Sequence, residues 1–192
     1  DLDFVKVTVA EDEDTITQKD GNYALLRKHK KHDATPEHIG FEIDSKEKWE
    51  ERIKPLLTAS DRRINFERYR IKKQYAKDRN MFFVWSGVNV FELMHPLTGH
   101  VNFLMAMIDD PEWVEDMCMT YAKLTIELQQ ILFDKEGYPD GIWYYEDMGF
   151  KNAPFISNAM YDRFLYPAHK LTIDYAKSCK LPVIMHSCGF VE

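Results

Sequence analysis

Met81-Phe82-Phe83-Val84-Trp85 is an almost continuous apolar run, with Gly87 close behind it and Val90-Phe91-Glu92 beyond. A short run without polar alternation is what a parallel strand covered on both faces requires, and a glycine permits a tight turn into the next element. Two later stretches have the same form. Gly141-Ile142-Trp143-Tyr144-Tyr145 ends in Glu146-Asp147, and Leu181-Pro182-Val183-Ile184-Met185 ends in His186-Ser187-Cys188-Gly189. Helical segments separate them. Asp110-Pro111-Glu112 combines a capping carboxylate, a proline at the first helical position and an acid in the first turn. Trp113, Met117, Tyr121, Leu124, Leu128 and Ile131 then recur at helical spacing, and Gly137 supplies the stop. Ser157 opens a second helical stretch, which Pro167 breaks or kinks and which resumes through Leu171 and Tyr175 to about Cys179. Strands alternating with helices, joined by connections too long for hairpins, predict a parallel α/β sheet.

Outward from this region, the N-terminal part reads differently. Val5, Val7 and Val9 alternate with Lys6 and Thr8, the period of a half-buried strand. Thr15-Ile16-Thr17 leads to Asp20-Gly21, a dipeptide suited to a tight hairpin turn, with Tyr23 to Arg27 as the returning strand. The run from Lys28 to His32 reads as a solvated edge, and Thr35-Pro36 marks a break. Ser45 can cap a helix reaching about Leu57, with Trp49, Ile53 and Leu57 on one face, and Ser60 another to about Lys77. Eight basic residues crowd the stretch from Arg62 to Arg79, which reads as an exposed helix; a phosphate-binding or nucleic-acid face is the alternative.

The 192 residues are 45% hydrophobic, enough for one packed domain and too much for a disordered chain. A net charge of -7 argues against nucleic acid as the main partner. No apolar stretch approaches the ~18 residues of a membrane span, and no signal peptide is visible at the start. Three widely spaced cysteines, Cys118, Cys179 and Cys188, do not form a disulfide framework; a reducing cytoplasm is the simpler expectation.

The chemically interesting side chains fall just after strand ends, where parallel α/β folds build their sites. His186 and Cys188, one residue apart, can converge on one borderline cation such as zinc; the bland alternative is a strand-end histidine beside an inert thiol. Gly189 would let the backbone approach a ligand. Glu146 and Asp147 are candidate acid, base or metal partners. Adjacent side chains on a strand face opposite ways, so one of the two is expected in the site. Glu92 is a candidate for the mouth of the site, and Tyr145 for substrate contact, although Tyr144 and Tyr145 also suit packing. Cys118 and Cys179 read as structural, His95 and His100 as turn residues, and the tryptophans as core.

From Met81 to Glu192 the ordered series resembles the uroporphyrinogen decarboxylase superfamily. It comprises Gly87-Val88-Asn89-Val90-Phe91-Glu92 with Leu97-Thr98-Gly99, Asp110-Pro111-Glu112, and Tyr138-Pro139-Asp140-Gly141-Ile142-Trp143 with Glu146-Asp147-Met148-Gly149. Ile156-Ser157, Tyr161, Tyr166-Pro167 and Pro182 through Gly189 complete it. The resemblance implies a partial (β/α)8 TIM-type barrel over residues 44–192, with a β-hairpin insertion over residues 1–43. True uroporphyrinogen decarboxylases carry an N-terminal arginine-rich motif not found here. The cobalamin-dependent methyltransferase branch looks closer, because its zinc is held by a His-x-Cys pair and a later cysteine. That branch implies Zn2+ on His186 and Cys188, with Glu146 or Asp147 orienting the histidine or taking a proton. It also implies a corrinoid protein and a thiol-type methyl acceptor as partners, with a homodimer allowed. Decarboxylation of uroporphyrinogen, or non-catalytic binding of a corrinoid or tetrapyrrole, are the alternatives. No cysteine follows Cys188, and a whole barrel needs about 250 residues; the third ligand is therefore expected beyond Glu192.

Overall fold

The computed structural model describes residues 2–191; Asp1 and Glu192 lie outside the described residues. The chain divides into two compact units, Asp1–Leu57 with Met94–Val114, and Thr58–Leu93 with Glu115–Glu192.

In the first unit, β1 (Val7–Glu11), β2 (Thr15–Lys19), β3 (Ala24–His29) and β4 (Glu37–Phe41) form an antiparallel sheet in sequence order. The hairpin expected over residues 1–43 is thus a four-stranded meander, since Glu37–Phe41 returns along β3. Val7 and Val9 are exposed, because β1 is an edge strand covered on neither face. The positive backbone angle of the β2–β3 turn belongs to Tyr23 (φ 62°), not Gly21. The Asp20 carboxylate explains this: it accepts the N–H groups of Asn22 and Ala24 and pins the turn. Ser45 does accept from Lys48 N–H, but α1 (Lys46–Lys48) passes into a wide turn at Trp49–Ile53 and a tight one at Lys54–Leu56. Pro55 stands in that last turn, where its missing N–H ends regular helix. Trp49 and Ile53 are buried.

The second unit begins with a short turn at Asp61–Arg63, after which Asn65, not Ser60, caps α2 (Phe66–Asp78) by accepting from Arg68 N–H at 2.9 Å. Strand β5 (Val84–Val88) starts later than the apolar run suggests. Met81 is taken up in closing α2: its N–H reaches Ala76 O while Asn80 adopts φ 53°. Met81 and Phe82 are accordingly exposed. The chain then runs through α3 (Val90–Thr98), α4 (His100–Asp109) and α5 (Pro111–Glu136), of which Met94–Val114 belongs to the first unit. The second unit goes on with β6 (Gly141–Tyr145), α6 (Asn158–Met160), α7 (Tyr166–Ser178) and β7 (Val183–His186). Pro167 lies in the first turn of α7, where it is tolerated. The α7–β7 connection repeats the α2 ending, with Lys180 at φ 60° and Leu181 N–H on Ala176 O.

Strands β5, β6 and β7 pair in parallel, in that order. The partial (β/α)8 barrel expected over residues 44–192 is not what forms: the parallel strands make a three-stranded sheet. A barrel closes only when every strand has two neighbours, whereas β5 and β7 have one each and the remaining four strands make a separate antiparallel sheet. Ile142 and Tyr144 of β6 are buried with Tyr69, Leu132, Phe133, Ala176 and Leu181, so the strands bury one face under α2, α5 and α7. Tyr144 keeps its hydroxyl there through Gln129, whose Nε2 is 3.1 Å away. No helix among the described residues is long and apolar enough to cross a membrane.

Candidate metal centre

The parallel pairing sets Tyr145 beside His186, so the last residues of β6 and β7 end together. The period of two then sorts the residues just past β6: Glu146 continues the buried face of Ile142 and Tyr144, and Asp147 continues the open face of Trp143 and Tyr145.

On the open side, donor atoms of Asp147, His186 and Cys188 all lie within 4.8 Å of one another. His186 Nε2 is 3.1 Å from Cys188 Sγ and 3.6 Å from Asp147 Oδ1. Cys188 N–H donates to Asp147 Oδ1 at 2.7 Å, which fixes the loop carrying the thiol to the acid. The hydrogen bond to Asp147 raises the Cys188 thiol above its ordinary pKa; desolvation and the negative charges of Asp147 and Glu92 add to this. The negative field that keeps a thiol protonated favours a cation at the same place. Imidazole nitrogen, thiol sulfur and carboxylate oxygen together are a donor set zinc accepts, and His186 and Asp147 are each 37% exposed, open to an arriving ion.

Two aromatic rings hold His186. Trp143 stacks on it at 6.2 Å and 21°, and Tyr145 meets it edge-on at 5.7 Å. The Trp143 indole N–H is buried and has no hydrogen-bond partner among the described residues. Around the thiol, Ser187 Oγ accepts from Met148 N–H, and Phe190 bridges to Phe150. Gly189, at φ 78°, meets the backbone of Gly149 rather than open space: a Cβ there would lie 2.4 Å from Gly149 O. Glycine is required at 189 for this crossing of two chain segments, which seats Cys188.

Glu146 is fully buried away from this cluster. It accepts from Phe91 N–H at 2.8 Å and Glu92 N–H at 3.2 Å, capping α3 from a neighbouring strand, and contacts His169 Nε2 at 2.5 Å. His169 Nδ1 in turn faces the Tyr161 hydroxyl at 3.3 Å, and burial pushes the Tyr161 phenol up. Glu92 stands in the first turn of α3, near enough for its charge to act on Cys188.

The structure thus brings Asp147, His186 and Cys188 together with Tyr145 beside them and Glu92 in electrostatic range, and places Glu146 elsewhere. Cys118 is buried in α5, where burial raises its thiol pKa. His95 and His100 stack on each other at 4.8 Å. Two further residues, Trp143 and His169, matter here. Trp143 reads as core from its apolar run, yet its ring stacks on His186. His169 does carry a signal: it lies on the apolar stripe Leu165, Ala168, Thr172, Ala176 of its helix, where a polar side chain needs a partner.

No family model, curated protein or solved structure matches the chain.

Proposed function

We propose that Asp147, His186 and Cys188 hold a zinc ion and that the chain moves a methyl group from a corrinoid to a thiol. The carrying observation is the convergence of three different donor types within 4.8 Å at the carboxyl ends of two adjacent parallel strands. That edge is where open α/β sheets place their ligands. Zinc bound there would supply a Lewis acid that keeps a thiol deprotonated near neutral pH.

The chain's own residues have distinct tasks. His186 must present Nε2 as a lone pair, so its proton belongs on Nδ1. Cys188 must release its proton, and Asp147, already hydrogen-bonded to Cys188 N–H, holds the loop in register while this happens. Trp143 and Tyr145 fix the imidazole plane and exclude water from one side. The acceptor sulfur supplies the electron pair of the new carbon–sulfur bond, and the corrinoid keeps the pair of the bond that breaks. Three free cysteines suit a reducing cytoplasm as the place of work.

The test is methylation of a small thiol by methylcobalamin with zinc-loaded protein. Turnover by the wild type that Cys188→Ser and Asp147→Ala each lower at least a hundredfold supports the reading. No turnover from protein carrying one zinc per chain would sink methyl transfer.

A further inference from the structure

A second concavity of the same unit lies along the free edge of β5, between α2 and α5, with a volume of about 370 Å³. Its polar wall is Arg63, Arg68 and Lys72, and none of its lining residues is acidic, in a chain of net charge -7. By contrast, Arg70 on α2 pairs with Glu136, and Lys135 on α5 pairs with Asp61. The side chains of Arg68 and Lys72 have no acidic partner among the described residues. Asn65 and Ser86 add polar groups, and β5 is the end strand of its sheet, pairing on one side only among the described residues. Most of the remaining lining is apolar, including Ile64, Phe83, Trp85, Leu128 and Leu132.

We infer that this cleft binds a diphosphate group carried on an apolar body. The two charges of Arg68 and Lys72 exceed what one carboxylate neutralises and suit the multiple charge of a diphosphate, which an arginine fork grips in two-point fashion. The apolar lining has nothing to offer the anion and is suited to the group attached to it. The size falls within the ~300–1,000 Å³ of small-molecule sites. This assigns a role to the basic stretch of α2 that the metal cluster does not use, and it stands independently of the zinc reading.

Calorimetric titration of metal-free wild-type protein with inorganic pyrophosphate and with a short alkyl diphosphate tests it. Saturable one-to-one binding is expected, at least fivefold tighter for the alkyl diphosphate. Arg68→Ala/Lys72→Ala should weaken both at least tenfold, while Lys28→Ala/Lys31→Ala, which removes the same charge from exposed positions, should change neither more than twofold. Circular dichroism of both variants checks that they fold. Absence of saturable binding to the wild type, or equal weakening by the two double variants, would overturn the site. Equal affinity for the two probes would overturn its apolar half.

Discussion

On one face of β6, Ile142 and Tyr144 are closed over by helices, and Glu146 beyond them meets His169 with both side chains at most 1% exposed. On the other face, Trp143 and Tyr145 remain partly open, and Asp147 beyond them meets His186 and Cys188 at 37% exposure. Each face therefore pairs a carboxylate with an imidazole at the same strand end. The buried pair is saturated: Glu146 also holds two N–H groups of α3, and His169 also holds Tyr161. The open pair has a third donor atom, the Cys188 sulfur, within 4.8 Å. Burial and the number of local partners, rather than residue type, separate the structural acid from the candidate ligand.

The largest expected effect lies on the buried face. Glu146→Ala leaves His169 and the start of α3 without their acceptor, and should cost about 3–5 kcal/mol in urea unfolding. Asp147→Ala should cost under about 1 kcal/mol. Similar losses for the two would erase the distinction.

An alkaline limb tests the same face. Burial pushes the Tyr144 phenol up to about 12. Below pH ~10 the phenol is protonated in folded and unfolded chains alike, and its contribution is intact. As pH rises from about 10 through 12 the unfolded chain ionises first, so about 3 kcal/mol is lost. Tyr144→Phe should remove that part of the slope, whereas an unchanged slope would show that the phenol is not shielded.

Gly189→Ala acts on the open face without touching a ligand. With φ at 78° and the Gly149 carbonyl in the way, it should cost about 1–3 kcal/mol and weaken metal binding at least tenfold by displacing Cys188. Unaltered metal affinity would show that the glycine crossing does not seat the thiol. Smallest of all, Trp143→Phe should loosen the metal only a few-fold, since an aromatic stack is worth about 0.5–1.5 kcal/mol; a hundredfold loss would mean that Trp143 does more than hold the ring.

Much of this is legible in the residue order. The β6 and β7 strands, the long helix from Pro111 and the position of His186 and Cys188 at a strand end follow from apolar runs, caps and period. The opposed directions of Glu146 and Asp147 follow from the pleat alone. Partner choice does not. Whether β5 is covered on both faces depends on a neighbour that residues 81–88 do not encode, and the expectation of a barrel fails there. Glu37–Phe41 is too polar to announce itself as a strand and is recruited by β3. Tyr23 takes the strained turn position because Asp20 captures two N–H groups, an arrangement no dipeptide rule contains. Glu146 capping α3 across 55 residues is likewise a product of the assembled sheet.

Titration of metal-free protein with cobalt(II), followed by absorbance, tests the metal centre most directly. One equivalent should bind with a sulfur-to-cobalt charge-transfer band, displaced by zinc, and lost in Cys188→Ser but retained in Glu146→Gln. No saturable binding, or a band that survives in Cys188→Ser, would contradict the assignment of Asp147, His186 and Cys188 as ligands.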